Sequence, residues 1–147
     1  MYLSNSLSTL ELLKKNKIKA TPQRIAIYNM LVNTKQHPSV DIIYKSLKKD
    51  FPSMSLATIY KTVDMFKEAG LIQELKDASS TNRYDANIQP HPHLICIKCN
   101  RIDDLEMDLP FSEDIISTIN DTTNYTILYS QICLYGYCPD CKMKARK

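Results

Sequence analysis

PSMSLATIYKTVDMFKEAGLIQEL, residues 52–75, is the stretch on which the fold turns. Phe51-Pro52-Ser53 ends whatever helix precedes it, because proline lacks the N–H that a helix interior requires. Ser55 is suited to capping a new helix, since a serine hydroxyl accepts from the free N–H groups of the first turn. Ile59, Val63 and Phe66 recur at helical spacing and give that helix one apolar face, running to Gly70. Its opposite face, Ser55, Thr58, Tyr60, Lys61 and Thr62, is polar and small apart from the tyrosine. Hydroxyls and an amine for phosphates, with a ring for a base edge, suit such a face to a DNA groove. An ordinary solvated helix face has the same pattern. Lys19, Arg24 and Ala57 complete the candidate DNA-contacting set.

Upstream, Ser8 to Asn16 reads as a helix carrying Leu10, Leu12 and Leu13. Thr21-Pro22 starts another: threonine caps, and proline at the first helical position gives up no needed donor. Its apolar face is Ile25, Tyr28, Met30, Leu31 and Val32, and it ends near Asn33. His37-Pro38-Ser39 is a turn with a serine cap, and a third helix runs from Val40 to Lys49, burying Ile42, Ile43 and Leu47. Downstream of Gly70, two short β-like runs, Leu71–Leu75 and Arg83–Asp85, flank a polar turn. Short helices followed by a hairpin predict a winged helix-turn-helix whose fourth helix reads the major groove. The charge distribution agrees with a polyanionic partner, because residues 1–86 carry a net charge of +5 and residues 87–147 one of −2.

Asn87–Pro92 reads as a hinge, and beyond it the composition changes. Leu94–Ile97 and Ile102–Glu106 are expected as strands, Ser112 as the cap of a helix through Ile119, and Tyr125–Tyr137 as one long strand. The fold class is therefore α+β, with a winged-helix domain over 1–86, a hinge over 87–92 and a small α/β dimerisation and metal-binding domain over 93–147. The second domain is too small to bury much core, so dimerisation or a metal staple is expected to support it. An apolar fraction of 44% with 24% charged residues excludes extended disorder. No run approaches the ~18 apolar residues a membrane span needs, and Met1–Leu13 lacks the pattern of an export signal. A cytoplasmic location is the expectation.

All five cysteines lie in the second half. Cys96-x-x-Cys99 and Cys138-x-x-Cys141 have the spacing of two chelating pairs that close a four-thiolate structural zinc site with no open position. Two dithiol or disulfide pairs are the alternative, and Cys133 is left over. His91-x-His93 precedes the first pair. On an extended segment, residues two apart project to one side, so both rings could hold one ion with a carboxylate such as Asp85, Asp103, Asp104 or Glu106. Solvated hinge histidines are the plainer reading. The third histidine, His37, sits in a turn before a proline and reads as a surface residue.

ATPQR at 20–24, PSMSLATIY at 52–60 and HPHLICIKC at 91–99 together resemble the ferric uptake regulator (Fur) family. The likeness runs from about Leu10 to Cys141, with independent motifs in the family's order. It implies a homodimer that binds double-stranded DNA at a pseudo-palindromic operator, with structural zinc on Cys96, Cys99, Cys138 and Cys141. It also implies a regulatory Fe(II) or Mn(II) held by His37, Asp85, His91, His93 and Asp104, by similarity to the peroxide-sensing (PerR) branch. Ligands drawn from both domains would then make a metal-closed clamp. In that branch His37 or His91 is the residue oxidised. Aspartate at 85 and 104, where iron-sensing relatives tend to carry glutamate, favours that branch, as does the lack of further histidines. Asn100 departs from the family pattern, standing where a glycine usually follows the first cysteine pair.

The resemblance leaves neither membrane nor organic substrate in view. An iron- or zinc-responsive repressor that reads metal occupancy is the nearest alternative. A zinc enzyme using His91 and His93 with a bound water, or a thiol redox protein using its C-x-x-C pairs, belongs to other classes.

Overall fold

The computed structural model describes residues 8–107 and 113–144. Contacts divide the chain into two compact units at Ile88.

Four helices and a hairpin build the first unit. Helix α1 (Thr9–Lys15) starts with a capping box: the Ser8 hydroxyl accepts from Glu11 N–H, and the Glu11 carboxylate accepts from Ser8 N–H. Helix α2 (Pro22–Val32) follows the Thr21 cap, and α3 (Val40–Leu47) follows the Ser39 cap. Ser55 caps α4 (Leu56–Glu68) by accepting from Thr58 N–H. Each cap satisfies a donor that no intrahelical carbonyl can reach. The strands β1 (Gln73–Lys76) and β2 (Asn82–Asp85) pair antiparallel, with Gln73 opposite Asp85 and Lys76 opposite Asn82.

One core unites these elements. Leu13, Ile27, Leu31, Ile43, Met54, Ile59, Val63, Phe66 and Tyr84 are buried in it, and the Tyr28 and Phe66 rings meet edge to face at 5.5 Å. Ile59, Val63 and Phe66 form the apolar face of α4 as expected. Three sequence expectations need correction. Leu10 of α1 and Val32 of α2 are exposed, and Ile27, absent from the expected face of α2, is buried. Thr62 belongs to the core side of α4 and is only 2% exposed. It lies between Ile59 and Phe66 on the helix surface, and its hydroxyl is satisfied by donating to Thr58 O at 2.8 Å. It is therefore removed from the DNA-facing set.

A three-stranded sheet of order β4-β3-β5 forms the second unit. β3 (His93–Cys96) pairs antiparallel with β4 (Ile102–Asp104) and parallel with β5 (Cys133–Gly136). Helix α5 spans Glu113–Thr123 and buries none of its residues, and a short helix, α6 (Pro139–Lys144), ends the described chain. The expected cap Ser112 lies outside the described residues. The long strand expected over Tyr125–Tyr137 contracts to β5 alone. Aromatic and β-branched residues favour strands by packing on neighbours, yet Tyr125, Leu128 and Tyr129 are strongly exposed and residues 125–131 join no ladder among the described residues. Helix α6 was not anticipated, although Pro139 and Asp140 are good first-turn residues.

Phe66→Ala removes the largest apolar side chain of α4 from this core. Urea denaturation followed by circular dichroism should show a loss of about 3–5 kcal/mol. Val32→Ala, at an exposed position, should stay within about 0.5 kcal/mol of the parent.

Candidate metal centres and nucleic-acid interface

The thiol cluster is built by two turns of the second unit. Cys96 ends β3, and the chain folds back so that Asn100 N–H donates to Cys96 O at 3.0 Å. That turn places Asn100 at φ +63°, a left-handed conformation that glycine, and after it asparagine, adopts at least cost. Asparagine therefore serves where a glycine is usual. Cys138 and Cys141 come from the start of α6, whose first turn is closed by Lys142 N–H on Cys138 O. The four sulfur atoms lie within 4.8 Å of one another, and Cys99 Sγ is 3.7 Å from Cys138 Sγ. A tetrahedron with Zn–S bonds of about 2.3 Å has an S···S edge of about 3.8 Å. The distance is far too long for a disulfide, whose sulfurs are about 2 Å apart, and all four cysteines are free thiols.

Electrostatics agree with a cation among the four. Backbone N–H groups, that of Cys138 foremost and then those of Cys99 and Lys98, lower the Cys96 thiol to about 6. Burial, followed by the neighbouring thiols, raises Cys141 to about 12. One thiolate is thus stabilised while Cys99 and Cys141 resist ionising beside it, and a dication relieves that repulsion. Zinc fits this set, and it would be structural because no coordination position stays open. Cys133 stands apart from the cluster, opposite His93 in β5, with its thiol raised by burial.

A second donor group in the same unit lacks sulfur. The β3–β4 register sets His93 opposite Asp104, with His93 Nε2 3.5 Å from Asp104 Oδ1. His91 Nε2 approaches the same oxygen at 3.0 Å, and the two imidazole rings are 4.3 Å apart. His91 Nδ1 lies 2.6 Å from Gln89 O. A carbonyl only accepts, so Nδ1 carries the proton, and in the neutral ring Nε2 then presents a lone pair toward Asp104. A cation held between the ring nitrogen and the carboxylate would fit that approach. Such a mixed imidazole and carboxylate set fits Fe(II), Mn(II) or Zn(II). Asp103 is no substitute for Asp104, because it pairs with Arg101 at 2.8 Å.

The first unit holds a histidine–carboxylate pair of its own. His37 and Asp85 are both buried, with His37 Nε2 3.5 Å from Asp85 Oδ2. Asp85 is oriented by Asn87 N–H at 2.8 Å. His37 is a buried residue, contrary to the surface reading its turn first suggested. Its φ of +49° immediately before a proline is a conformation costing roughly 1–3 kcal/mol, of the kind that persists where the surroundings enforce it.

On α4, Ala57, Tyr60 and Lys61 are exposed at i, i+3 and i+4 and form one outward face. Ser55 is exposed too, but its hydroxyl is engaged in the cap and lies 3.0 Å from the half-buried Thr58 hydroxyl. Lys19 is exposed, whereas Arg24 donates to Lys19 O at 2.9 Å and is held against the chain. Leu56, overlooked in the sequence, is exposed beside them.

Metal analysis of the purified protein should find zinc that survives mild chelation. Serine at Cys96, Cys99, Cys138 or Cys141 should abolish it and lower the thermal midpoint, while Cys133→Ser should retain it. Loss of zinc in Cys133→Ser, or retention in Cys99→Ser, would contradict the assignment.

The Ferric uptake regulator family model matches residues 15–135. The peroxide operon regulator of Bacillus subtilis is 36% identical over 135 residues, covering 92% of each chain. A Campylobacter jejuni peroxide stress regulator is similar in structure, with a TM-score of 0.71 at 32% identity, over 92% of this chain and all of that one. GAS PerR in a Zn-Zn form gives a TM-score of 0.51 at 35% identity, over 90% of this chain and 84% of that one. With its winged helix-turn-helix, its four-thiol cluster and a match spanning most of its length, this chain belongs to the ferric uptake regulator family.

Proposed function

We propose that this protein is a metal-dependent, DNA-binding transcriptional repressor that senses hydrogen peroxide through oxidation of a histidine ligand. The observation that carries the reading is the pair of imidazoles, His91 and His93, converging on one Asp104 oxygen, separate from the thiol cluster. Relatives named as peroxide regulators support it, as do aspartates at both carboxylate positions.

In this proposal His37 and Asp85 join His91, His93 and Asp104 on one Fe(II) or Mn(II). Two or three donors alone bind such ions weakly, so the arrangement in which all five converge is favoured by differential affinity. At about 100 times the dissociation constant the shift amounts to about 2.7 kcal/mol, a hundredfold in a poised equilibrium. The operator-binding form is then the one with both donor sets engaged. Ala57, Tyr60 and Lys61 of α4 enter the major groove, and two copies of the chain read a pseudo-palindromic operator. The exposed Tyr125, Leu128, Tyr129, Tyr135 and Tyr137 of a unit with little core support a homodimer. None of the described helices is long and apolar enough to cross a membrane, and the regulator is proposed to act in the cytoplasm and to turn over no organic substrate.

Fe(II) held by these donors would supply one-electron chemistry, relaying to peroxide the two electrons that the ring gives up and being regenerated overall. At His37 or His91 a ring C–H becomes C=O, with one peroxide oxygen retained on the ring and the other leaving as water. The oxidised ring is a poor donor, so the five-donor arrangement loses its advantage and the operator is released.

Operator binding by Fe(II)- and Mn(II)-loaded dimer, before and after dilute peroxide, tests this with peptide mass spectrometry alongside. The expected result is release by the iron form alone, with one added oxygen at His37 or His91. Equal release by the manganese form contradicts oxidation at the metal. Unmodified histidines and unchanged binding in both forms would make the protein a sensor of metal occupancy.

A further inference from the structure

We propose that Arg83, fixed in place by Asp77, is a positioning residue for His37, and this rests on the reading of His37 as a regulatory ligand. His37 occupies a left-handed backbone position at φ +49° directly before Pro38. Neither an L residue nor a pre-proline residue favours that conformation. Left to itself the segment would relax toward extended backbone and lose the approach of His37 Nε2 to Asp85.

Three successive residues of β2 prevent this. Arg83 Nη1 donates to His37 O at 3.1 Å, Tyr84 N–H donates to Pro38 O at 3.1 Å, and Asp85 lies 3.5 Å from the His37 ring. The Arg83 guanidinium is held in turn by its other edge, Nε donating to Asp77 Oδ2 at 2.9 Å. Asp77 is itself immobilised at the start of the hairpin turn. Its Oδ1 accepts from Ser79 N–H at 2.9 Å, Ser79 Oγ–H at 2.6 Å and Thr81 N–H at 3.0 Å. Asp77 is buried and Arg83 partly so, with side-chain exposures of 2% and 14%. A guanidinium spanning a carboxylate and a carbonyl with two edges is engaged inward, away from any phosphate. Lysine, a single point donor, cannot bridge both partners. The hairpin turn thus fixes Arg83, Arg83 fixes the His37 carbonyl, and the imidazole is held toward Asp85.

The test uses full-length, zinc-replete protein carrying Arg83→Met, Arg83→Lys, Asp77→Asn or His37→Ala. Mn(II) affinity is read by electron paramagnetic resonance of the free ion, and the ligand field by the visible spectrum of the Co(II)-loaded protein. Arg83→Met should weaken Mn(II) binding by about 10-fold or more, in the range of other residues that orient metal ligands, and should alter the Co(II) spectrum while zinc is retained. Arg83→Lys should fail to restore either, and Asp77→Asn should weaken binding less. Parent-like affinity and spectrum in folded Arg83→Met, with His37→Ala weakened, would overturn the positioning role alone. Unchanged affinity in His37→Ala would remove His37 from the ligand set and the proposal with it. Should Arg83→Met not fold, Arg83→Lys and Asp77→Asn decide by the same two readouts.

Discussion

Four thiols confined within 4.8 Å of one another form a donor set for a single cation, and the second unit is arranged around that constraint. Its buried apolar residues are few: Ile95, Cys96, Ile102 and Cys141 among those described. Helix α5 contributes none. A cross-link between the end of β3 and the start of α6 therefore does what a larger hydrophobic core does elsewhere. It also has a consequence three residues upstream. Cys96 fixes one end of β3, His93 lies at the other, and the β3–β4 register sets Asp104 opposite it. The position of the imidazole-carboxylate group follows from the zinc-stapled strand.

The first unit reaches a similar end without sulfur. Its core is large enough to fix α4 and the hairpin, and the hairpin grips the segment at His37-Pro38 through Arg83 and Tyr84. Each unit thus places a histidine through backbone hydrogen bonds, His37 by way of Arg83 and Tyr84 and His93 in the β3 ladder. A structural site that is all thiolate and a regulatory one that is all nitrogen and oxygen differ in metal preference, so one chain can retain zinc while exchanging iron or manganese.

What the sequence disclosed was what local chemistry determines. Thr21, Ser39 and Ser55 cap the helices they were expected to cap, because a cap depends on residues three positions away. The C-x-x-C spacing foretold each chelating pair for the same reason, whereas the β3–β5 pairing brings the two pairs together. Thr62 was misplaced because a polar residue at the margin of the α4 core face can satisfy its hydroxyl on its own helix. The strand over Tyr125–Tyr137 was overextended because residue type records an affinity for a sheet but not whether a neighbouring strand is available. The link from Arg83 to His37 crosses 46 residues, and no spacing rule reaches it. Even the Asx-type turn around Asp77, legible from Ser79 and Thr81, does not reveal where the arginine points. For His37 only the family resemblance implies a ligand role, since a lone histidine before proline carries no signal of its burial.

The central claim is that one regulatory ion draws on both units. The second unit alone has two histidines and the first alone has one. Pulsed electron paramagnetic resonance of the Mn(II)-loaded protein, with isotopically labelled histidine nitrogen, counts the imidazoles bound to the ion. Three coupled imidazoles are expected, with one lost in His37→Ala. Two in the parent protein, unchanged in that variant, would contradict the claim.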